Sequence, residues 1–226
     1  MIFDLDGTLV DSTTQISEAM QFARKSLGLG ELPENFIASQ LGKPIRDLIP
    51  ETKLDAKFED NLITIFRNTL KLSILEGNRV FPSADELVRK LKSEGCLIGI
   101  ATSKPQCLAE LVVQNSELEG LIDVIQGTDN FPPKPHPEVI LRILGNFQGH
   151  PAIMIGDRAE DILAATSAKI PALGVAQSAH SSSKLISHGA RKSYSTIREV
   201  LLDVDTIFSI TRTAISLAYQ NQELLP

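Results

Sequence analysis

Asp4 and Asp6 stand two residues apart at the end of a short apolar lead, in the run Met1-Ile2-Phe3-Asp4-Leu5-Asp6-Gly7-Thr8-Leu9-Val10-Asp11-Ser12. In an extended backbone, residues i and i+2 project to the same side, so two carboxylates converge where a strand stops. Crowded carboxylates repel one another and stay ionised at neutral pH most readily with a cation such as Mg²⁺ among them. One oxygen of such a pair can attack phosphorus while the other carboxyl handles protons. Gly7 and Thr8 allow a tight turn and present amides and a hydroxyl to an anion.

Three later stretches also place polar residues just beyond an apolar run. Cys96-Leu97-Ile98-Gly99-Ile100-Ala101 reads as a buried strand, apolar on both faces as parallel strands are, and ends at Thr102-Ser103-Lys104-Pro105. A hydroxyl there, ahead of a helix, suits a phosphoryl oxygen, although Ser and Thr are also ordinary helix caps. Lys134 is the only cation of the loop Phe131-Pro132-Pro133-Lys134-Pro135-His136-Pro137-Glu138. A lone loop lysine is usually solvated, but flanking prolines restrict where this one points; His136 reads as a surface residue. The strand Ala152–Ile155 leads into Gly156-Asp157-Arg158-Ala159-Glu160-Asp161, which turns Asp157 and Asp161 toward one crevice at the start of a helix. Complementing the helix dipole would explain each acid singly, but not their match with Asp4 and Lys134.

In this order the four stretches resemble the four motifs of the haloacid dehalogenase-like hydrolases: DxDGT with a following DS, Thr102 after a strand, KPxPE and GDxxxD. The resemblance implies that Asp4 is the nucleophile that becomes an aspartyl phosphate and that Asp6 is the general acid and base. It implies Thr102 on a phosphoryl oxygen, Lys134 neutralising phosphoryl group and nucleophile, and Mg²⁺ held by Asp4, Asp6 and Asp157. Asp161 would support the site from outside, with Gly7, Thr8 and Ser103 as further contacts. Two positions depart from the common pattern, Ser103 where many phosphatases carry asparagine and Ser83 where many relatives carry glycine.

The elements that must position these groups follow the same logic. From Thr13 to about Asn78 the chain reads as helices: Ile16, Ala19, Met20, Ala23 and Leu27 recur at helical spacing up to Gly28-Leu29-Gly30, Pro33 to Leu41 and Ile45 to Leu48 suggest short helices, and Phe58, Leu62, Ile65, Phe66, Thr69 and Leu70 trace a longer face. An all-helical insert here resembles the cap of the phosphoglycolate phosphatase-like and β-phosphoglucomutase-like branch. The expected fold is a doubly wound, mostly parallel α/β core, residues 1–12 and 79–226, interrupted by a helical cap, residues 13–78. Within the cap, Gly42-Lys43-Pro44-Ile45-Arg46-Asp47 resembles the branch's GxPxxD segment, making Lys43 and Arg46 candidates for a substrate anion; a solvated turn and helix start explains both more simply. Ser83 and Glu86 read as a capping box. Leu121–Ile125, Pro171–Val175 and a short segment at Lys192–Tyr194 read as further strands, and Ile197–Val204 as a helix.

Hydrophobic residues make up 42% and charged residues 22% of the 226 residues, an ordinary folded balance. A net charge of -6 without a basic stripe argues against a nucleic-acid partner. No apolar run approaches the ~20 residues of a bilayer span, no signal-type segment precedes Asp4, and Cys96 and Cys107 read as reduced thiols; the expectation is a soluble cytoplasmic protein acting on a small phosphorylated metabolite, with no membrane partner. The first strand is expected to be short. An amphipathic stripe at Ile207, Phe208, Thr211, Ala214, Ile215 and Ala218 is expected to pack on the core or against a second copy in a homodimer. The expected activity is Mg²⁺-dependent hydrolysis of a phosphate monoester such as phosphoglycolate or a sugar phosphate. A phosphomutase of the β-phosphoglucomutase type is the rival reading, and a non-catalytic phosphate-binding module the second.

Overall fold

The computed structural model describes residues 1–40, 45–50, 54–148, 150–176 and 182–210. Six strands form one parallel sheet: β1 (Ile2–Phe3), β2 (Gly99–Ala101), β3 (Val124–Gln126), β4 (Met154–Gly156), β5 (Ala172–Val175) and β6 (Ser193–Tyr194), in the order β3-β2-β1-β4-β5-β6. β1 is short, as expected, yet central. It pairs with β2 on one side and β4 on the other, Phe3 lying opposite both Ile100 and Ile155.

Side-chain alternation along β1 sends Ile2 and Phe3 to opposite faces, and each begins a separate core. Phe3 joins Ile98, Ile100, Ile153 and Ile155 under helices α4 (Ala84–Ser93), α5 (Gln106–Gln114) and α9 (Ile197–Leu202). Ile2 joins Met154 under Val139, Ile140 and Ile143 of α6 (Glu138–Asn146), Ile162 and Ala165 of α7 (Ala159–Ser167), and Leu185 of α8 (Ser182–Ser187). Helices on both faces make the doubly wound arrangement. The chain winds outward from β1 to β3, then returns across β1 to β4, so the order of winding reverses between β1 and β4. Ligands of such sheets bind beyond the strands' carboxyl ends at that reversal.

Between β1 and β2, helices α1 (Thr13–Ser26), α2 (Glu34–Gln40) and α3 (Ala56–Leu75) and a 3-10 turn at Ile45–Leu48 precede α4. α1 and α3 pack together, burying Ile16, Ala19, Met20 and Ala23 of one and Leu62, Phe66, Leu70 and Ile74 of the other. α1 stops before Gly28-Leu29-Gly30, as expected, and Asp55 caps α3 by accepting the Phe58 amide at 2.9 Å. Lys43 lies outside the described residues, as do Thr211, Ala214, Ile215 and Ala218 of the terminal stripe; Ile207 of that stripe is buried in the core and Phe208 packs against it. Among the described residues no helix is long and apolar enough to cross a membrane.

Two local expectations are corrected. β2 begins at Gly99, not Cys96: Cys96 is half-buried and Leu97 is 38% exposed, because both approach the sheet from its open amino end. The capping box at Ser83 does not form. Ser83 is left-handed, φ 68° and ψ 8°, and its hydroxyl caps nothing. Instead the Phe81 carbonyl accepts the Ala84 amide at 3.0 Å across Pro82-Ser83. Proline second and a left-handed residue third are the preferences of a turn that favours glycine in that third place, which gives a physical reason for glycine in relatives. Ser83→Ala, expected to cost about 1 kcal/mol had the hydroxyl capped the helix, should leave the denaturation midpoint unchanged. Ser83→Gly should raise it by up to about 1 kcal/mol in stability by relieving the left-handed strain. A clear loss in the alanine variant would restore the capping box.

Candidate active site

Because Phe3 is flanked by Ile100 and Ile155, the residue after β1 emerges between the ends of β2 and β4. Asp4 occupies that place, its amide donating to the Ile155 carbonyl at 2.9 Å and the residue only 2% exposed. The Lys134 ammonium reaches it at 2.8 Å from the proline-rich loop before α6. The same nitrogen donates to the Asp161 carboxylate at 2.5 Å and to the Ala101 carbonyl at 2.8 Å, so its three donors are spent on α7, β1 and β2. Asp161 is held in turn: its other oxygen accepts the Arg158 amide at 3.0 Å, closing the first turn of α7. A Cβ on Gly156 would overlap the Asp161 carboxylate, so glycine is what allows this acid to lie against the strand end.

Asp157 completes the cluster. Its Oδ1 accepts the Thr8 hydroxyl at 3.0 Å, and a Cβ on Gly7 would stand 2.6 Å from its Oδ2. Gly7 also has φ +88°, so the turn after Asp6 needs glycine for conformation and for space. Asp4, Asp157 and Asp161 each offer a carboxylate oxygen within 4.8 Å of the others, all buried. An all-oxygen set of carboxylates is the donor type that Mg²⁺ takes, and one lysine among three buried acids leaves negative charge that a divalent cation would offset. The residues fit such an ion. Both Asp161 oxygens are engaged as described, while the ion pair of Asp4 with Lys134 uses its Oδ1. The Asp6 side chain turns to Lys104, and its backbone carbonyl is the atom expected to serve the cation.

Thr102 directly follows β2 and is 1% exposed; its Oγ1 accepts the Lys104 amide at 3.2 Å. Among the described residues, Ser103 Oγ and Asp6 Oδ1 are buried without a hydrogen-bond partner. Asp6 Oδ2 lies 3.1 Å from Lys104 Nζ, an ion pair whose two side chains are both almost wholly buried. Lys104 was missed in the sequence, where it reads as a polar residue in a turn; its place directly after Thr102-Ser103 was the available signal. Arg46 is not brought to the site: it is exposed and paired with Glu59 of α3.

Burial drives the electrostatics. Removal from water raises the Asp4 carboxyl to about 7, with Lys134 pulling it back and Asp161 and Asp6 pushing it up. Asp161 is raised for the same first reason. For Lys134, burial alone would lower the ammonium, but Asp161 and Asp4 outweigh it and hold it protonated above the ordinary lysine range. The site thus keeps its cation and is reluctant to keep every anion.

Sequence and structure comparisons point to one family. A sequence model of the Haloacid dehalogenase-like hydrolase family matches residues 1–175. The chain is 30% identical over 165 residues to a phosphoglycolate phosphatase of Aquifex aeolicus, covering 72% of this chain and 77% of that protein. It is 29% identical over 192 residues to a 5'-nucleotidase of Pseudomonas aeruginosa, covering 83% and 87%. Among solved structures, a haloacid dehalogenase-like family hydrolase from Streptococcus pneumoniae superposes with a TM-score of 0.78 at 29% identity, covering 89% of this chain and 95% of that one.

A stability measurement tests the electrostatics. An acid raised from about 3.9 unfolded to about 7 folded binds its proton more tightly in the folded state, so its contribution is full below pH 4 and is lost as pH rises through 7. In EDTA, the melting temperature of the parent minus that of Asp4→Asn should therefore fall between pH 4 and pH 7. Added Mg²⁺ should flatten the fall. A difference that is constant with pH would mean that Asp4 is not desolvated as described.

Proposed function

The chain belongs to the haloacid dehalogenase-like hydrolases and is a phosphoric monoester hydrolase, and from that premise we propose that it cleaves a small phosphate monoester through a phosphoryl group carried on Asp4, with Mg²⁺ as cofactor. The observation that carries this reading is the convergence of Asp4, Lys134 and Asp157 at the strand ends where the winding reverses.

In the first step an Asp4 oxygen attacks phosphorus in line with the leaving alcohol; the new bond is Asp4 O–P and the bond broken is P–O of the ester. Lys134 is fixed beforehand by Asp161 and the Ala101 carbonyl, so its charge meets the transferring group without reorganising. Thr102 and Ser103 offer hydroxyls at the end of β2, the Ser103 oxygen having no hydrogen-bond partner among the described residues. Asp6 gives its proton to the departing oxygen, and then takes one from the water that attacks the Asp4 phosphate, returning the carboxylate and releasing inorganic phosphate. Asp4, Asp157 and the Asp6 backbone carbonyl would hold Mg²⁺, which when bound neutralises phosphoryl oxygens during transfer.

Residues 13–78 act in this reading as a cap over the core formed by 1–12 and 79–226, excluding water during phosphoryl transfer. A cavity lined jointly by Ile16, Phe66 and Leu70 of the helices and by Asp6, Lys104 and Leu108 of the core supports that division. Free Cys96 and Cys107 suit a cytoplasmic setting. The substrate is a small phosphorylated metabolite.

Chelation should abolish turnover and Mg²⁺ restore it. Asp6→Asn should lower kcat on an alkyl phosphate by roughly 10²–10⁴-fold, the worth of a positioned acid or base. With 4-nitrophenyl phosphate, whose leaving oxygen needs no proton, first-turnover release of nitrophenolate should suffer far less than steady-state turnover. Equal losses in both phases would take the proton-transfer role away from Asp6.

A further inference from the structure

We propose that the alcohol this enzyme releases is apolar, a single ring or a branched alkyl group, and not a polyhydroxylated sugar; the proposal rests on the phosphatase reading and names its substrate class. A cavity of about 250 Å³ opens at Asp6, the residue assigned to the leaving oxygen, so its occupant is the group bonded to that oxygen. Most of its lining is carbon, from Ile16 of α1, Ile45 and Leu48 of the 3-10 turn, Phe66 and Leu70 of α3, and Leu108 of α5, with Asp6, Arg67, Ser103, Lys104, Thr128 and Asp129 as its polar members. An apolar cavity of ~150 Å³ already takes a benzene ring, so this one holds a ring together with its ester linkage, while falling short of the ~300–1,000 Å³ of drug-sized sites.

The polar groups of the lining are largely committed elsewhere. Asp6 and Lys104 face each other at 3.1 Å, the Thr128 hydroxyl donates to the Thr102 carbonyl at 2.9 Å, and Asp129 accepts the Gln106 amide at 3.3 Å. Among the described residues, that leaves the Ser103 hydroxyl and Asp6 Oδ1, both buried without a hydrogen-bond partner, and the exposed Arg67 to meet substrate polar atoms. A hexose would bring several hydroxyls against Ile, Leu and Phe side chains, surrendering their bonds to water without replacement. A ring or branched chain surrenders nothing and displaces water from the carbon walls. A two-carbon carboxylate such as glycolate would leave most of those walls uncovered.

The test compares esters whose leaving alcohols are all poor, so that binding and not leaving-group chemistry decides. The full chain with Mg²⁺ is given benzyl phosphate, isopentyl phosphate, glucose 6-phosphate and 2-phosphoglycolate, with 4-nitrophenyl phosphate as a check on phosphatase activity itself. The expected result is kcat/KM at least about tenfold higher for the benzyl and isopentyl esters, the scale on which apolar pockets discriminate. Leu108→Asn and Phe66→Ser should each collapse the ratio of benzyl phosphate to glucose 6-phosphate. Because both numbers of that ratio come from one preparation, partial unfolding cancels; a ratio preserved in both variants would overturn the assignment to this cavity. Glucose 6-phosphate or 2-phosphoglycolate turned over as well as benzyl phosphate would overturn the apolar leaving group while leaving a phosphatase. Failure on all five esters would instead overturn the phosphatase reading, and the substrate class with it.

Discussion

A lysine ammonium taken out of water is tolerable only where anions and carbonyls use all of its protons, and Lys134 meets that condition with Asp4, Asp161 and the Ala101 carbonyl. Removing one partner of such a buried cluster leaves an uncompensated charge, which costs far more than an exposed pair of the same kind. The contact therefore fixes more than a side chain. It ties the ends of β1 and β2, the loop before α6 and the first turn of α7 to one nitrogen, and it depends on Gly156 for the room that Asp161 needs. The three acids that gather there outnumber the ammonium, and the excess negative charge is what makes the place fit for a divalent cation and for a phosphoryl group arriving with it.

The parts of this arrangement legible in the sequence were those set by strand ends. Asp4, Thr102 and Asp157 each follow an apolar run, and in a parallel sheet the carboxyl ends of neighbouring strands lie side by side, so sequence position carried over directly into space. Lys134 was legible because the four prolines of its loop, Pro132, Pro133, Pro135 and Pro137, restrict it. Other features depend on contacts far apart in the chain. The Lys104 to Asp6 pair joins residues nearly a hundred positions apart, and the local signal at Lys104 is no more than its place directly after Thr102-Ser103. Ser83 and Glu86 have the spacing of a capping box, but the turn through Pro82 forces a left-handed backbone that turns the hydroxyl away, so spacing alone misled. Cys96 and Leu97 continue the apolar run of β2 without continuing its ladder, since hydrophobicity marks burial more directly than it marks pairing.

The helices between β1 and β2 were legible by periodicity, yet their consequence was not. Ile16, Phe66 and Leu70 read as helix–helix core, and in part they are: Phe66 and Leu70 lie on the face of α3 that packs with α1. The same residues also line the cavity at Asp6. One apolar face thus serves packing and specificity together, so polar substitutions there are expected to alter substrate choice and stability at once, whereas those at Lys134 or Asp161 act on chemistry shared by every ester.

Every step of the proposed reaction requires an Asp4 oxygen to take the phosphoryl group, and one measurement reaches that directly. Asp6→Asn protein, which retains the nucleophile but lacks the base for the second step, is incubated with Mg²⁺ and 4-nitrophenyl phosphate, quenched in acid and weighed intact, with the adduct mapped by peptide. A single phosphate on the peptide carrying Asp4, absent from Asp4→Asn protein treated identically, is the predicted result. A phosphate on another residue, or one that persists when Asp4 is replaced, would contradict it.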